Sequence, residues 1–530
     1  MHKVNSYSAI LGAFLSILFL AALAALVLVQ ADPLTSLPSR DGGAFAYIGH
    51  VILEGKLPYI NAWDSKPPGI FYLNAFALWL GRGTRWGIWL MEFGFLFAAA
   101  GIGYRLMIRL WGPGAAVFGT VFWMMGLDLV LSGGNFTEEY SLPFSFLALF
   151  LFWKGLEKPK DWGYDLGIGL ALSLGFLLRP NNIGVQISIV LTWCILLLAR
   201  KDLSLLLQKV ARIGAAVLLV FAAVCAYFWA KGALSAMLQA GLLYNLSYTG
   251  GHANLWSGLK NGFVYFGPLA WIALAGYVLA VLHLVRSIRA HAVDWLSFML
   301  VLDWPLEVVQ CSLSGRGYGH YYITWLPVMA LLSGKVFSVL APRIFLPRVI
   351  TFMNERVRYW MLVLVVIAGL LFPAAWKGYA EDVARLLFNR SAGVEFIPPV
   401  AKYIRYGTNP PDTVLVWGGQ AGLNYLSRRD SPTEYLFYPL YVDSPFTQKM
   451  EAAFLSELQS RPPALIVDAY IHDPDNVLSL DPNVRMIQVA AGKGQVYRPF
   501  NLAGVFDFIS SHYHLETVVD EYAVYRRNAP

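Results

Sequence analysis

Eleven apolar runs recur along this chain, each near the ~20 residues that a helix needs to cross a bilayer, and they dominate what it can fold into. They fall at 8–30, 85–107, 114–132, 139–155, 164–179, 183–199, 211–230, 263–285, 294–312, 321–340 and 359–376. Backbone in hydrocarbon must satisfy its own hydrogen bonds, so runs of this length read as helices. With 57% hydrophobic and 14% charged residues, the chain lies outside the balance of a water-soluble domain. The first run is longer than a signal-peptide core and lacks a clear cleavage site, so it is read as a retained span.

A twelfth apolar stretch, "PPGIFYLNAFALWLGR" at 67–82, is short and opens with two prolines. Short loops rich in Lys and Arg stay cytoplasmic, and they decide its placement. Without a span at 67–82, five basic loops share one side: Arg105 and Arg109; Lys154, Lys158 and Lys160; Arg200, Lys201 and Lys209; Arg286 and Arg289; Arg343, Arg348, Arg356 and Arg358. With it, all five face outward. The stretch is therefore expected to lie along the outer interface.

That assignment gives a multi-pass protein of the cell (inner or plasma) membrane, with a cytoplasmic N-terminus. It turns 31–84, 132–139, 179–182, 231–261, 314–320 and everything after Trp376 outward. Beyond Trp376 the composition changes. "DTVLVWGG", "ALIVDAY" and "EYAVYRRN" read as strands, and "MEAAFLSELQS" has helical spacing. The expected fold class is an α-helical polytopic membrane protein with about eleven transmembrane helices, outward interfacial helices and a C-terminal soluble α/β domain. Its domains would be 1–376, with 31–84 as the outer loop, and 377–530.

The net charge of +7 sits in loops between spans, so topology explains it and no nucleic-acid partner is expected. Cys194, Cys225 and Cys311 lie inside apolar runs without disulfide or zinc spacing. The chain has no P-loop, G-x-S-x-G or H-E-x-x-H motif.

Chemistry is concentrated in the outward loops. Asp41 and Asp64 bracket a helically spaced segment; a carboxylate beside lipid has its pKa moved toward a general base's range. Asp41 equally fits a helix cap and Asp64 a turn. Lys66, ahead of Pro67 and Pro68, reads as a cation held at the headgroup level or as a snorkelling lysine. Arg316 and His320, in a glycine-rich "GRGYGH", and Arg179, before Pro180, are further candidate phosphate contacts or interface anchors. Glu138 and Glu139 begin a span, where the helix dipole favours acids, and are otherwise candidates for a contact to an acceptor sugar or a metal. Asn135, Asn245 and Asn389 form N-x-S/T sequons of little weight.

Together the outward Asp, "EGKLPY", "WDSKPPG", "NFTEE" and "RGYGHYYITWLPVMALLSG" resemble the glycosyltransferase C (GT-C) superfamily. The likeness is to bacterial members related to protein O-mannosyltransferases and lipid A aminoarabinose transferases, glycosyltransferase families 39 and 83. It covers roughly 8–376, and "DTVLVWGGQAGLNYLSRRDSPTEYLFYPLY" is similar to the outward domain of many members. The resemblance implies an inverting transfer of a hexose or pentose from a polyprenyl phosphate donor to an envelope glycan, lipid or protein acceptor outside the membrane. By position, Asp41 would be the catalytic base. Lys66, in the K-P-P motif, would bind the donor phosphate with Arg316, His320 and Arg179. Asp64, Glu138 or Glu139 would supply an acceptor contact or secondary acid. Many relatives carry Asp-Glu where this chain has Asp41-Gly42, and no metal or other cofactor is expected. The competing expectation is a transporter or flippase of a lipid-linked glycan, for which the deeper Glu92, Asp128 and Glu307 speak.

Overall fold

The computed structural model describes residues 2–248, 254–344, 373–388, 395–494 and 502–529. Its helices begin with α1 (His2–Val27), α2 (Arg40–Leu53), α3 (Gly69–Leu80), α4 (Arg85–Trp111), α5 (Pro113–Val130), α6 (Thr137–Glu157), α7 (Trp162–Leu178) and α8 (Gly184–Ala199). They continue with α9 (Leu203–Ala230), the short α10 (Leu234–Leu238) and α11 (Tyr244–Tyr248), α12 (Leu255–Phe266), α13 (Pro268–Arg289), α14 (Trp295–Ser312) and α15 (Leu326–Ile344). The chain forms two compact units. One comprises Met1–Asp32, Trp89–Cys225 and His252–Ala392; the other comprises Pro33–Ile88, Ala226–Gly251 and Gly393–Pro530.

The first unit is helical. Among the described residues, six helices are long and apolar enough to cross a membrane: Gly12–Ala31, Arg85–Trp111, Pro113–Val130, Leu203–Ala230, Pro268–Arg289 and Gly319–Pro342. Helix α9 shows what surrounds them, for its Leu207, Leu218 and Leu219 are 69%, 71% and 70% exposed. A surface that apolar is stable against lipid, as in a multi-pass membrane protein. Small residues bring the helices together: a Cβ on Gly119 would lie 2.8 Å from the Ala330 carbonyl, and one on Gly276 2.3 Å from that of Leu332.

The expected spans from 8–30 to 321–340 each coincide with helix, with one correction. The run at 263–285 is not continuous, because Gly267 takes φ 50° and Pro268, which has no N–H to give to a preceding turn, starts α13 afresh. The expected span at 359–376 lies for the most part outside the described residues. Helix α3 has 12 residues. At ~1.5 Å per residue it is roughly 18 Å long, too short for a ~30 Å hydrocarbon core.

The second unit joins segment 33–88 to a four-stranded sheet of order β1-β2-β4-β3. Strands β1 (Val414–Trp417) and β2 (Leu465–Asp468) are parallel, with Val414 opposite Leu465. Both are buried along their whole length, as in a sheet covered on two faces. Strands β3 (Tyr513–Val519) and β4 (Tyr522–Arg527) form a hairpin with an irregularity at Leu515/Thr517, and β4 pairs antiparallel with β2. Three strands match the sequence expectation, as does the helix Thr447–Ser460. Strand β3 is not expected from the sequence, because its "YHLETVV" carries His and Glu on an exposed edge, which masks the period.

Candidate active site

Helix α2 begins under Ser39, whose Oγ accepts from the Gly42 N–H at 3.0 Å. The cap is therefore Ser39, and Asp41 stands in the first turn, where the positive helix end favours a carboxylate. One face of α2 packs on α3. A Cβ on Gly49 would meet the Ala75 nitrogen at 2.8 Å, and Phe45 and Phe71 have ring centroids 6.1 Å apart. The K-P-P prolines at the start of α3 thus follow a loop held close to α2.

That loop, 54–68, turns through Gly55 and Tyr59, both at positive φ (82° and 67°). Side chains hold its backbone. Tyr59 donates its hydroxyl to the Lys66 carbonyl at 2.8 Å, and Asn245 donates to the Ser65 carbonyl at 2.6 Å. Asn245 follows a π-helical turn, Gln239–Leu243, a distortion that recurs at functional sites. Trp63 is seated among Tyr244, Tyr435 and Tyr441, with centroid distances of 5.0, 6.2 and 4.9 Å.

Within this frame Asp64 is 2% exposed. Its Oδ1 accepts from the Lys66 backbone N–H at 3.0 Å and lies 3.7 Å from the Lys66 ammonium. Its Oδ2 is buried and has no hydrogen-bond partner among the described residues. Burial pushes the Asp64 carboxyl above the usual carboxylate range; the Lys66 ammonium opposes this, and the charge of Asp41 adds to it. The Lys66 ammonium also lies over the Phe45 ring, 5.7 Å from its centroid. Phe45 is one helical turn beyond Asp41 on α2. Asp41, Asp64 and Lys66 therefore form one electrostatic group in the second unit: two carboxylates and an ammonium, with the Asp64 carboxyl raised above its ordinary range by burial.

The remaining sequence candidates lie in the first unit. Glu138, at the start of α6, is ion-paired with Arg179, whose guanidinium stacks 3.9 Å above the Tyr321 ring. Thr137 donates to Glu138 at 2.8 Å, and Asn182 donates to the Thr137 carbonyl at 2.9 Å. Glu139 accepts from the Phe136 N–H at 3.5 Å, so it also serves the α6 terminus. His320 is sandwiched between Phe136 and Tyr318, at 4.3 and 5.8 Å between near-parallel rings. The Arg316 N–H bonds Ser314 at 3.3 Å. The neighbouring glycines serve packing: the Gly317 carbonyl accepts from Tyr265 at 2.8 Å, and a Cβ there would meet Asn261 at 2.6 Å. Glu138, Arg179, Asn181, Asn182, Gln310 and Tyr321 line a tight cleft of about 10 Å³.

Tyr59, Phe45 and the bracing role of Asn245 carry no signal in the sequence beyond the Asn245 sequon. Only spatial proximity identifies them, since Asn245 is 180 residues from Ser65. Among the described residues no group of three or more His, Cys, Asp or Glu side chains is arranged to hold a metal ion, and the three cysteines are free.

The family model described as "Putative competence-induced protein Ccs4 N-terminal domain" matches residues 5–342. No curated protein matches the sequence. Among solved structures, ArnT from Cupriavidus metallidurans bound to undecaprenyl phosphate is similar over 97% of this chain and 98% of its own, at 14% identity and a TM-score of 0.59. The same protein in the apo state matches over 96% and 97%, at 13% identity and a TM-score of 0.56. The chain thus shares the fold of these two structures over nearly its whole length.

Proposed function

We propose, from the premise that this chain belongs to the competence-induced Ccs4 N-terminal domain family and has the GT-C fold, that it is a membrane glycosyltransferase using a lipid-linked donor. The donor in this reading is a polyprenyl phosphate monosaccharide, and ArnT, its structural neighbour, has been crystallised with undecaprenyl phosphate. The acceptor is an envelope glycan, lipid or protein on the outer side of the membrane. Nucleotide sugars are absent there, whereas a lipid donor presents sugar and leaving phosphate together at the headgroup plane.

The observation that carries this reading is the buried Asp64 carboxylate, which holds the Lys66 ammonium beside the helix of Asp41. In the reaction Asp41 takes the proton of the acceptor hydroxyl as that oxygen bonds to the anomeric carbon. The bond from that carbon to the phosphate oxygen breaks, the electron pair leaves on the phosphate, and the configuration inverts. Lys66 neutralises the charge that grows on the leaving phosphate, and Pro67 and Pro68 limit how far its backbone can retreat.

A second reading, transport of a lipid-linked glycan, draws on Asp303 and Glu307 inside α14. Each has a buried carboxylate oxygen without a hydrogen-bond partner among the described residues, and buried acids within spans mark substrate or proton paths. The deciding experiment places wild type and Asp41→Asn in lipid nanodiscs with polyprenyl phosphate sugars and envelope extract. Mass spectrometry follows the polyprenyl phosphate released. Release by wild type alone supports the transferase, and release by neither, with donor bound by both, favours the transporter.

A further inference from the structure

The second unit's sheet has a place for a ligand, and the chain fills it itself. In open sheets with parallel strands, ligands bind beyond the carboxyl ends of those strands. Here β1 runs into Gly418 and Gly419, at φ 100° and 79°, a turn that leaves bare backbone at the strand end. Strand β2 ends at Asp468, whose carboxylate accepts from Tyr470 N–H (3.1 Å), Ser479 Oγ (2.8 Å) and Leu480 N–H (2.7 Å). That fixes the loop leading to Asp473, which Asn476 orients further through a 2.7 Å hydrogen bond.

The group found at this edge is Arg40, the first residue of α2 and the neighbour of Asp41. A Cβ on Gly419 would lie 3.8 Å from Arg40 Cδ, and the Arg40 guanidinium stands 2.9 Å from Asp473 Oδ2. A cation at the positive end of a helix gains nothing from that helix, and Asp473 supplies the opposite charge. The contact continues along the same face of α2. A Cβ on Gly43 would lie 2.8 Å from the Gly422 Cα, so the two backbones touch. The Tyr47 hydroxyl accepts from the Ser431 N–H at 2.8 Å, and beyond the helix Lys56 pairs with Asp430 at 2.6 Å.

We propose that the C-terminal sheet is a positioning domain: its strand-end crevice is occupied by Arg40 of the same chain, which sets the first turn of α2 and thereby aims the Asp41 carboxylate. The proposal rests on the reading of Asp41 as the base. Arg40, Gly43 and Asp473 are positioning residues that touch neither donor nor acceptor. The sheet's task is then to hold the catalytic helix.

The test uses the full chain in nanodiscs with Arg40→Asp, Asp473→Arg and the double charge swap, compared with Asp41→Asn. Steady-state kinetics are read beside hydrogen exchange of the α2 amides. Each single reversal is expected to lower kcat at least tenfold with donor KM within twofold of wild type, and to speed exchange in α2. The double swap, which restores the ion pair in reverse, is expected to recover most of kcat and of the protection. Gly422→Ala, whose Cβ would press on Gly43 at 3.3 Å, gives a milder loss of the same kind without a charge change. Wild-type kcat in both single reversals, or a double swap as slow as the singles, would overturn the positioning role while Asp41→Asn stayed inactive. Turnover by Asp41→Asn would instead remove the base and with it what the domain is said to aim.

Discussion

The ammonium of Lys66 stands 3.7 Å from Oδ1 of Asp64, a carboxylate 2% exposed whose other oxygen has no hydrogen-bond partner among the described residues. This pair is what gives the 54–68 loop a chemical character. Lysine held by a buried acid cannot snorkel freely, and an acid with one unmet oxygen is costly to leave charged.

If Asp41 is the base, Asp41→Asn keeps the shape of the α2 first turn and removes only the proton acceptor. Turnover should fall by ~10²–10⁴, the usual worth of general-base catalysis, with donor affinity within a few-fold of wild type. Stopped assays of polyprenyl phosphate release, beside donor binding to both proteins, check this. A variant as fast as wild type would leave Asp41 as a residue that merely complements the helix dipole.

Lys66→Ala should weaken donor binding and slow turnover together, by about 2–4 kcal/mol in kcat/KM, as for the loss of one transition-state donor. It also leaves Asp64 buried without its cation, so some loss of thermal stability is expected. Lys66→Arg restores charge but not shape, and should recover only part of the activity. Unchanged kinetics in Lys66→Ala would end its assignment to the phosphate.

The ion pair of Glu138 and Arg179 is buried, at 2% and 10% side-chain exposure. Removing one partner strands the other, at a cost of ~3–5 kcal/mol, whereas replacing both by apolar groups of similar size is far milder. Arg179→Met should therefore lower the melting temperature in detergent much more than the double variant Glu138→Leu/Arg179→Met. Equal melting temperatures for the single variant and wild type would contradict a structural role for the pair.

Two carboxyls of the C-terminal sheet region set a pH dependence. Burial pushes Glu434 up to about 7, with Glu457 adding to the shift, and burial pushes Asp468 up to about 6 against three hydrogen bonds. A carboxyl raised in the fold binds its proton more tightly there than in the unfolded chain. The stability it contributes is present below the unfolded value of about 4 and is lost as pH rises through the folded one. The melting temperature should therefore fall between pH 5 and 8, measured by scanning fluorimetry, and Glu434→Gln should flatten the upper part of that fall. A wild-type profile flat from pH 5 to 8 would contradict it.

The sequence by itself determined what periodicity and composition can express. Runs of apolar residues must become helices in a solvent that offers no hydrogen bonds, so the helices of the first unit were legible from the length and apolarity of those runs. Strands "VLVW" and "LIVD" were legible because strands buried on both faces are continuously apolar. Asp41, Asp64 and Lys66 stood out because charge is rare beside so much lipid-facing sequence. The tertiary structure decided which of those charges meet. Ser39 rather than Asp41 caps α2, Asp64 is the buried partner of Lys66, and Asn245 braces Ser65 across 180 positions. It also decided that Glu138 is matched by Arg179, and that Arg40 lies at the end of the C-terminal strands. Helix formation is local, set by neighbours three and four residues away. The partner of a charge is set by chain folding over hundreds of residues, and no local pattern records it.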